Sequence, residues 1–576
     1  MSYQKEYKKW LDSKNLSDSE RAELEGIKDD EKEIESRFFA PLEFGTAGLR
    51  GILGAGLNRM NIHVVRWATQ AFANLIIHEG REAVERGMAI CYDCRNFSEE
   101  FAREAACVLA GNGINVRLFD ALRPTPELSF AIREYECTAG INITASHNPK
   151  EYNGYKVYWS DGAQLPPHHA EMVAHEMEKI DIFRGIISIP FDEAIKSGRI
   201  TMLDEHTDKE FLDMVLCQSI QQETIKKHAD TFKLVFTPFH GTGYKLIPDA
   251  LLKLGLKHVL CVPEQMIIDG NFPTVKSPNP ENPEGFALAI ELAKQNDVDL
   301  IIGSDPDADR VGVVVRNAKG EFIVLSGNQT GVLLLDYIIR ARKAANTLPS
   351  KPVAIKSIVT TEMARVVAEM QGVKMYDTFT GFKFMAELIG SLEKTTKEHF
   401  ILAYEESFGY LVGDHARDKD AVTASMLIAE MATWYREQGM SLFDAMEALY
   451  RKFGNYREST LNITMIGLDG LKKMSDIMSK LRNDPPQSMG GIRVMAMRDY
   501  KVGERYEIMG GSRITKLDIS GSNVLYYEME DHTVFIVRPS GTEPKMKIYI
   551  LAAGRTHAEC DSKIEHYTSY AKMTFR

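Results

Sequence analysis

Four short segments concentrate residues that can do chemistry. In TASHNPKEYNGYKVY (144–158), Ser146 follows the apolar run GINIT, His147 adjoins it, and Lys156 lies ten positions on. A serine oxygen at a strand end can accept a phosphoryl group and return it. His147 can donate to the phosphate or help move a proton, and Lys156 can neutralise its charge. The same residues also suit a plain turn built on Ser, Asn and Pro. In GSDPDADR (303–310), Asp305, Asp307 and Asp309 alternate directly after DLIIG. Three hard oxygen donors near one point suit Mg2+, whose remaining octahedral positions go to water or phosphate. An EF-hand is excluded, because the sixth loop position is not glycine and the twelfth is not Glu. Left empty, three carboxylates repel one another unless a cation such as Arg310 compensates, and a solvated acidic turn is the alternative. In AYEESFGY (403–410), Glu405, Ser407 and Gly409 close an apolar run, and a carboxylate beside a hydroxyl is a fork for sugar hydroxyls. Lys419, between Asp418 and Asp420, can shuttle a proton if partial burial tunes it. In RPSGTEPKMK (538–547), Arg538, Ser540, Gly541, Thr542 and Lys545 bring a guanidinium, two hydroxyls, flexible amides and an ammonium within eight residues. That set describes a nest for a phosphate dianion, where a bare β-turn has no need of so many donors.

Positioning these loops requires strands that end where they begin. MAICYDCR, NVRLFDA, GINITASHNP, KLVFTPFHGTG, HVLCV, DLIIGSDPDADR, VAIKSIVTT and FILAYEES each read as a buried strand followed by polar or Gly-rich residues. Amphipathic stretches separate them, among them FALAIELAKQ, GVLLLDYIIRARKAA and one long segment from Thr423 to Phe453. Strands alternating with helices predict α/β units with mostly parallel sheets, whose ligands bind outside the carboxyl ends of strands. The stretch 522–554 instead alternates apolar and polar residues around tight turns, which predicts an antiparallel α+β terminal domain. Interruptions of the pattern place boundaries near 205, 325 and 455, giving α/β domains over 1–205, 206–325 and 326–455 and an α+β domain over 456–576. The polar first forty residues read as helices packed on the first domain.

Composition narrows the partners. The chain has 576 residues, 44% hydrophobic and 26% charged, the make-up of a globular protein. Its 69 basic and 81 acidic side chains give a net charge of −12, which argues against nucleic acid and anionic membranes. No apolar run reaches the length of a membrane span, and the charged N-terminus lacks the apolar core of a signal peptide. Seven scattered cysteines do not make a disulfide framework, so the expected location is cytoplasmic. The Cys91–Cys94 pair has no second pair to complete a zinc site and reads as a strand end. His240 in PFHGTG reads as a loop or packing residue, and the Met and aromatic stripe from Met426 to Tyr450 as core.

Taken together and in this order, the four segments resemble the α-D-phosphohexomutase superfamily, and within it the long phosphoglucomutase and phosphopentomutase branch. The similarity covers nearly the whole chain. It implies three α/β mixed-sheet domains and a C-terminal α+β domain around a central cleft. It also implies that Ser146 is phosphorylated in the active enzyme, and that Asp305, Asp307 and Asp309 hold one Mg2+ with Ser146 as a further ligand, Arg310 lying on the phosphoserine side. Glu405 and Ser407 in EESFG would grip the hexose, in what resembles the glucose-selective form, and RPSGTEP would hold the distal phosphate. GTAGLRG (45–51) resembles the N-terminal active-site segment and puts Arg50 near the transferring phosphate. TFTGFKF puts Thr380 and Gly381 in a loop that approaches substrate, and Lys419 matches a general base. Lys545 and Lys547 depart from the arginine of some relatives. The implied reaction interconverts α-D-glucose 1-phosphate and glucose 6-phosphate, with glucose 1,6-bisphosphate as intermediate and activator, in a monomer or weak homodimer. The C-terminal domain is the expected lid. A pentose-phosphate mutase and a glucose 1,6-bisphosphate synthase are the neighbouring alternatives.

Overall fold

A computed structural model describes residues 2–298, 300–395, 397–465, 469–509, 514–539 and 545–575. The chain forms two compact units: Met1–Thr330 with Ile389–Ser391 and Ile401–Ser441, and Gly331–Leu388 with Leu392–Phe400 and Leu442–Arg576.

The first unit opens with the expected helices, Tyr3–Leu11, Asp18–Gly26 and Glu31–Phe38. Ser17 and Glu20 form a capping box that fixes where the second begins. Trp10, Leu24, Ile34 and Phe38 share one core with Val64, Ala68 and Phe72 of the long helix Ile62–His78. The first sheet runs Leu49–Ile52, Tyr152–Trp159, Ala139–Ile143, Met88–Tyr92, Val116–Phe119, Ile200–Leu203. Its last four strands are parallel, and Met88–Tyr92 and Ala139–Ile143 are buried at every position, as strands covered on both faces must be. The first two strands pair antiparallel, so the sheet is mixed as the family resemblance implies, although the strand–helix alternation by itself predicts mostly parallel pairing. Only residues 144–151 separate Ala139–Ile143 from Tyr152–Trp159, and a parallel crossover needs a dozen residues or more. The chain therefore turns straight back, which sets Lys156 opposite Asn142.

The second sheet has the order Phe322–Leu325, Val311–Arg316, Leu300–Ser304, Lys233–Thr237, His258–Cys261 and is mixed for the same reason. The six-residue loop 305–310 returns directly into an antiparallel strand. In the same unit Glu405 pairs with Gly409 across a tight hairpin, and the buried helix Ala421–Glu437 follows. That helix stops short of the single segment expected from Thr423 to Phe453. Gly439 takes a left-handed φ of 73°, and a separate helix, Leu442–Phe453, belongs to the second unit.

In the second unit Pro352–Ser357 and Lys374–Thr378 pair in parallel. The terminal sheet runs Asn455–Thr464, Lys545–Gly554, Val534–Pro539, Leu525–Met529, Ile492–Asp499, Glu504–Glu507, Ile514–Lys516, antiparallel throughout as its alternation predicts. Met474, Met478, Phe535 and Tyr567 fill its core under the helices Asp469–Asn483 and His557–Thr574. Among the described residues no helix is long and apolar enough to cross a membrane.

Candidate active site

Ser146 sits just past the buried strand Ala139–Ile143, in a left-handed conformation with φ 52°. That region is uncommon for a residue with a Cβ, so its surroundings must hold it there. The Ser146 hydroxyl donates to Asp305 Oδ2 at 2.7 Å and stands 3.1 Å from His147 Nδ1. With its one proton on the aspartate, the serine oxygen is left to accept from the ring nitrogen. Burial, then Arg310 and Arg50, press the His147 pKa well below the usual histidine value, so the imidazole is neutral at pH 7. The Ser146 amide donates to Thr144 Oγ1 at 2.8 Å, and that hydroxyl donates to Asp93 Oδ2 at 2.6 Å. Asp93 forms a fully buried ion pair with Arg95 at 3.3 Å. Arg95 in turn donates to the carbonyls of Ser146, Asn148, Pro149 and Tyr152.

Asp305, Asp307 and Asp309 follow the strand Leu300–Ser304 and are buried, with one ligand oxygen from each lying within 4.8 Å of the others. Asp305 Oδ1 accepts the amides of Asp309 and Arg310 at 3.1 and 3.0 Å, which curls the loop. Asp307 Oδ2 accepts from Lys156 Nζ at 2.5 Å and from the Thr125 hydroxyl at 2.9 Å. Burial raises the Asp305 pKa well above the carboxylate range, and Asp307 and Asp309 add to it. Burial also opposes ionisation of Asp307 and Asp309, but Lys156 beside the first, and Lys156 and Lys419 beside the second, hold both below that range. Asp307 Oδ1 and Asp309 Oδ1 are buried without a hydrogen bond. A buried carboxylate oxygen without a donor is costly, and two of them beside Asp305 fit a hard divalent cation.

Cations surround the cluster. Lys156 reaches Asp309 Oδ2 at 3.2 Å as well as Asp307. Lys419 meets Asp309 at 3.2 Å and Asp418 at 2.9 Å. Burial alone would bring its pKa down. Asp309, Asp418 and Glu405 outweigh burial and raise it, so Lys419 is an ammonium, the opposite of the tuning a base requires. Tyr158 donates its hydroxyl to the other oxygen of Asp418 at 3.0 Å. A Cβ on Gly409 would lie 2.1 Å from Lys419 Cδ, so this glycine leaves the room in which the lysine lies. Glu405 is buried at its strand end and Ser407 half-buried two residues on. Arg310 donates to Glu281 at 3.2 Å, and the solvent-accessible Arg50 donates to Asn148 Oδ1 at 3.1 Å.

One unit thus brings together Ser146, His147, Lys156, Arg50, the three aspartates, Arg310, Glu405, Ser407 and Lys419. Thr380, Gly381, Arg538 and Lys545 belong to the second unit. Gly381 has φ 114° at the start of the helix Phe382–Thr395, and burial, with Arg538 as a neighbouring cation, lowers the pKa of Lys383 in that helix. Arg538 pairs with Lys547 across the strands that flank the terminal loop, and Ser540, Gly541 and Thr542 lie outside the described residues. Sequence reasoning passed over Asp93, Arg95 and Thr125. In CYDCR the two cysteines are unpaired, and the local signal is an Asp and an Arg two residues apart at a strand end. His240 is a loop residue as expected, with Nδ1 on the Ile267 carbonyl and Nε2 on the Thr274 hydroxyl.

Three family models match the chain: the phosphoglucomutase/phosphomannomutase alpha/beta/alpha domain I over residues 41–183, domain II over 209–320 and domain III over 326–453. A phosphoglucomutase of Staphylococcus aureus is 37% identical over 523 residues, which span 90% of this chain and 91% of the relative. The chain belongs to the phosphoglucomutase/phosphomannomutase family. A Staphylococcus saprophyticus phosphoglucomutase is 36% identical over 522 residues, 90% of this chain and 92% of its own. Among solved structures, a Thermus thermophilus putative phosphomannomutase shares 20% identity with a TM-score of 0.67, covering 92% of this chain and 99% of that one. The open form of the Paramecium phosphoglucomutase parafusin shares 18% with a TM-score of 0.68, covering 93% and 96%. These two carry the fold of the family. The Ser146 loop lies in the domain I match and the aspartate loop in domain II, while Thr380, Glu405, Ser407 and Lys419 fall in domain III.

Proposed function

We propose that the chain is a phosphoglucomutase, an isomerase that interconverts α-D-glucose 1-phosphate and glucose 6-phosphate by carrying a phosphoryl group on Ser146. The observation that carries this reading is the Ser146 hydroxyl at 2.7 Å from Asp305, inside a buried group of three aspartates. The relatives' shared activity, at 36–37% identity over nine-tenths of the chain, supports it. Phosphorylated Ser146 gives its phosphoryl group to the free hydroxyl of the sugar phosphate. The P–Oγ bond breaks as the bond to the sugar oxygen forms, and glucose 1,6-bisphosphate results. The bisphosphate turns over and its other phosphate returns to Ser146, releasing the isomer. Asp305, Asp307 and Asp309, with the phosphoserine, would hold Mg2+, which when bound neutralises charge on the phosphoryl oxygens. A phosphoserine adds about −1.5 to −2 charges, and Arg50, Lys156 and Arg310 are the groups that offset them. In the first transfer the proton lost by the attacking sugar hydroxyl is balanced by one gained at the departing Ser146 oxygen. In the second the Ser146 hydroxyl gives up a proton and the departing sugar oxygen gains one. Lys419, an ammonium here, is in the form that serves the second transfer, and neutral His147 is the hydrogen-bond partner of the serine oxygen. Glu405 and Ser407 take the sugar hydroxyls. Arg538, Ser540, Gly541, Thr542 and Lys545 take the phosphate that is not reacting, with Thr380 and Gly381 in the loop that meets substrate. Seven unpaired cysteines suit a reducing cytoplasm, where sugar phosphates are the partners.

Two measurements test this. Intact-mass analysis after exposure to glucose 1,6-bisphosphate should find one phosphoryl group on the wild-type chain and none on Ser146→Ala, which should lose mutase turnover while keeping its fold. Near-normal turnover by pure Ser146→Ala would overturn the assignment. Comparing kcat/KM for glucose, mannose and ribose 1-phosphates should place glucose first, and a ribose preference would make the chain a pentose-phosphate mutase.

A further inference from the structure

The peptide groups on either side of Ser146 are held by side chains, one by Thr144 at the start of its own loop and the other by Arg95 from a different strand end. The Ser146 amide is bound by Thr144, which is bound by Asp93. The Ser146 carbonyl is bound by Arg95, which pairs with Asp93, so the two arms close into one buried network. Asp93 is fixed in its turn, because its Oδ1 accepts the Ser98 hydroxyl at 2.8 Å and the Arg95 amide at 2.9 Å. Arg95 also stacks over Phe272, its guanidinium carbon 5.1 Å from the ring centre. A planar guanidinium with five donors can gather several carbonyls at once, whereas an ammonium cannot match that geometry. A left-handed φ at a serine persists only where surroundings over-determine it, and here every polar atom of the Ser146 peptide link that the network grips is buried.

We propose that Asp93, through Thr144, and Arg95, through the Ser146 carbonyl, are positioning residues that clamp Ser146 in its left-handed conformation and so aim its oxygen at the aspartate cluster. This rests on the reading of Ser146 as the phosphoryl carrier. Both residues act on the Ser146 backbone, Arg95 directly and Asp93 by way of Thr144. The clamp sets the rate of transfer and leaves sugar-phosphate affinity alone, since a displacement of about 1 Å at a reacting atom costs roughly 100-fold in rate.

The test compares Arg95→Lys, Thr144→Val and Thr144→Ser with the wild-type enzyme. Phosphorylation of Ser146 by glucose 1,6-bisphosphate is followed in single turnover, and the Kd for glucose 1-phosphate is measured on the unphosphorylated protein. Transfer is expected to slow about 100-fold in Arg95→Lys and about 10-fold in Thr144→Val, and to stay within about twofold in Thr144→Ser, which restores the hydroxyl. The Kd is expected to change by less than about twofold throughout. Should Arg95→Lys fail to fold, the near-isosteric Thr144 pair decides the matter. Wild-type transfer rates in folded Thr144→Val, or a loss of rate matched by an equal loss of affinity, overturn the clamp. A wild-type enzyme that takes up no phosphoryl group at all overturns the Ser146 reading instead, and the clamp falls with it.

Discussion

At the scale of single residues, the site is a problem of buried charge. Three carboxylates within 4.8 Å of one another are held ionised or neutral by what surrounds them, and Lys156 is the cation they share most closely. Removing one partner of a buried ion pair costs about 3–5 kcal/mol, because the other charge stays buried without compensation. Lys156→Met is therefore expected to lower unfolding stability by about that amount in chelator. Mg2+ should recover part of the loss, since a divalent cation neutralises the same carboxylates through their other oxygens. Denaturant unfolding with EDTA and with excess Mg2+ checks this, and an equal loss under both conditions would place the cation elsewhere. Both aspartate oxygens that lack a donor are legible only in three dimensions, although the aspartates themselves stand out in the chain.

Elements set how closely these residues approach. Gly241 packs so tightly on the aspartate loop that a Cβ there would lie 2.4 Å from Pro306 Cα and 2.6 Å from its carbonyl oxygen. Backbone cannot step aside as a flexible side chain can. Gly241→Ala is expected to cost about 1–3 kcal/mol by overpacking and to weaken Mg2+ binding, as calorimetric titration would show. An unchanged metal affinity would mean that the loop moves without consequence. At the N-terminus, Glu20 joins the helix Asp18–Gly26 to the helix Ile62–His78 by its contact with His63 at 3.3 Å. Burial opposes its ionisation, but His63 and the Ser17 amide and hydroxyl outweigh burial and hold its pKa at about 2, against an ordinary 4.5. A carboxylate lowered on folding stabilises above its unfolded pKa and loses that contribution as pH falls through the folded one. Glu20→Gln should therefore cost about 1 kcal/mol at neutral pH and flatten the stability curve between roughly pH 4.5 and 2. A curve of wild-type slope in that window would show that Glu20 is not the group responsible. The strands and helices behind these contacts follow the apolar periods of the sequence, and the capping box is visible as Ser17 and Glu20. Their partner His63 is more than forty residues away, and no local pattern points to it.

For the whole molecule, binding of Mg2+ to the folded chain alone should appear as stability, about 2.7 kcal/mol when the ion is at a hundred times its Kd. Thermal unfolding is expected to shift up by a few degrees on adding Mg2+, to fall back with EDTA, and to lose the response in Asp307→Asn. An undiminished shift in that variant would assign the effect to another site. What the amino-acid order determines unaided is local. It sets residue types and spacing in the four chemical segments, the strand before each of them, the alternation that makes three α/β blocks and the antiparallel pattern of the last. These rest on side-chain chemistry and on periods of two and 3.6 residues, which act between neighbours in the chain. Tertiary structure decided the rest. It turned the chain back after short loops so that the sheets are mixed and Lys156 meets Asp307. It also enlisted Asp93, Arg95 and Thr125 around Ser146 and Asp307, and raised the pKa of Lys419 where a base would need it lowered. Desolvation and charge act through space, so their sign depends on which groups folding brings within a few ångströms of one another.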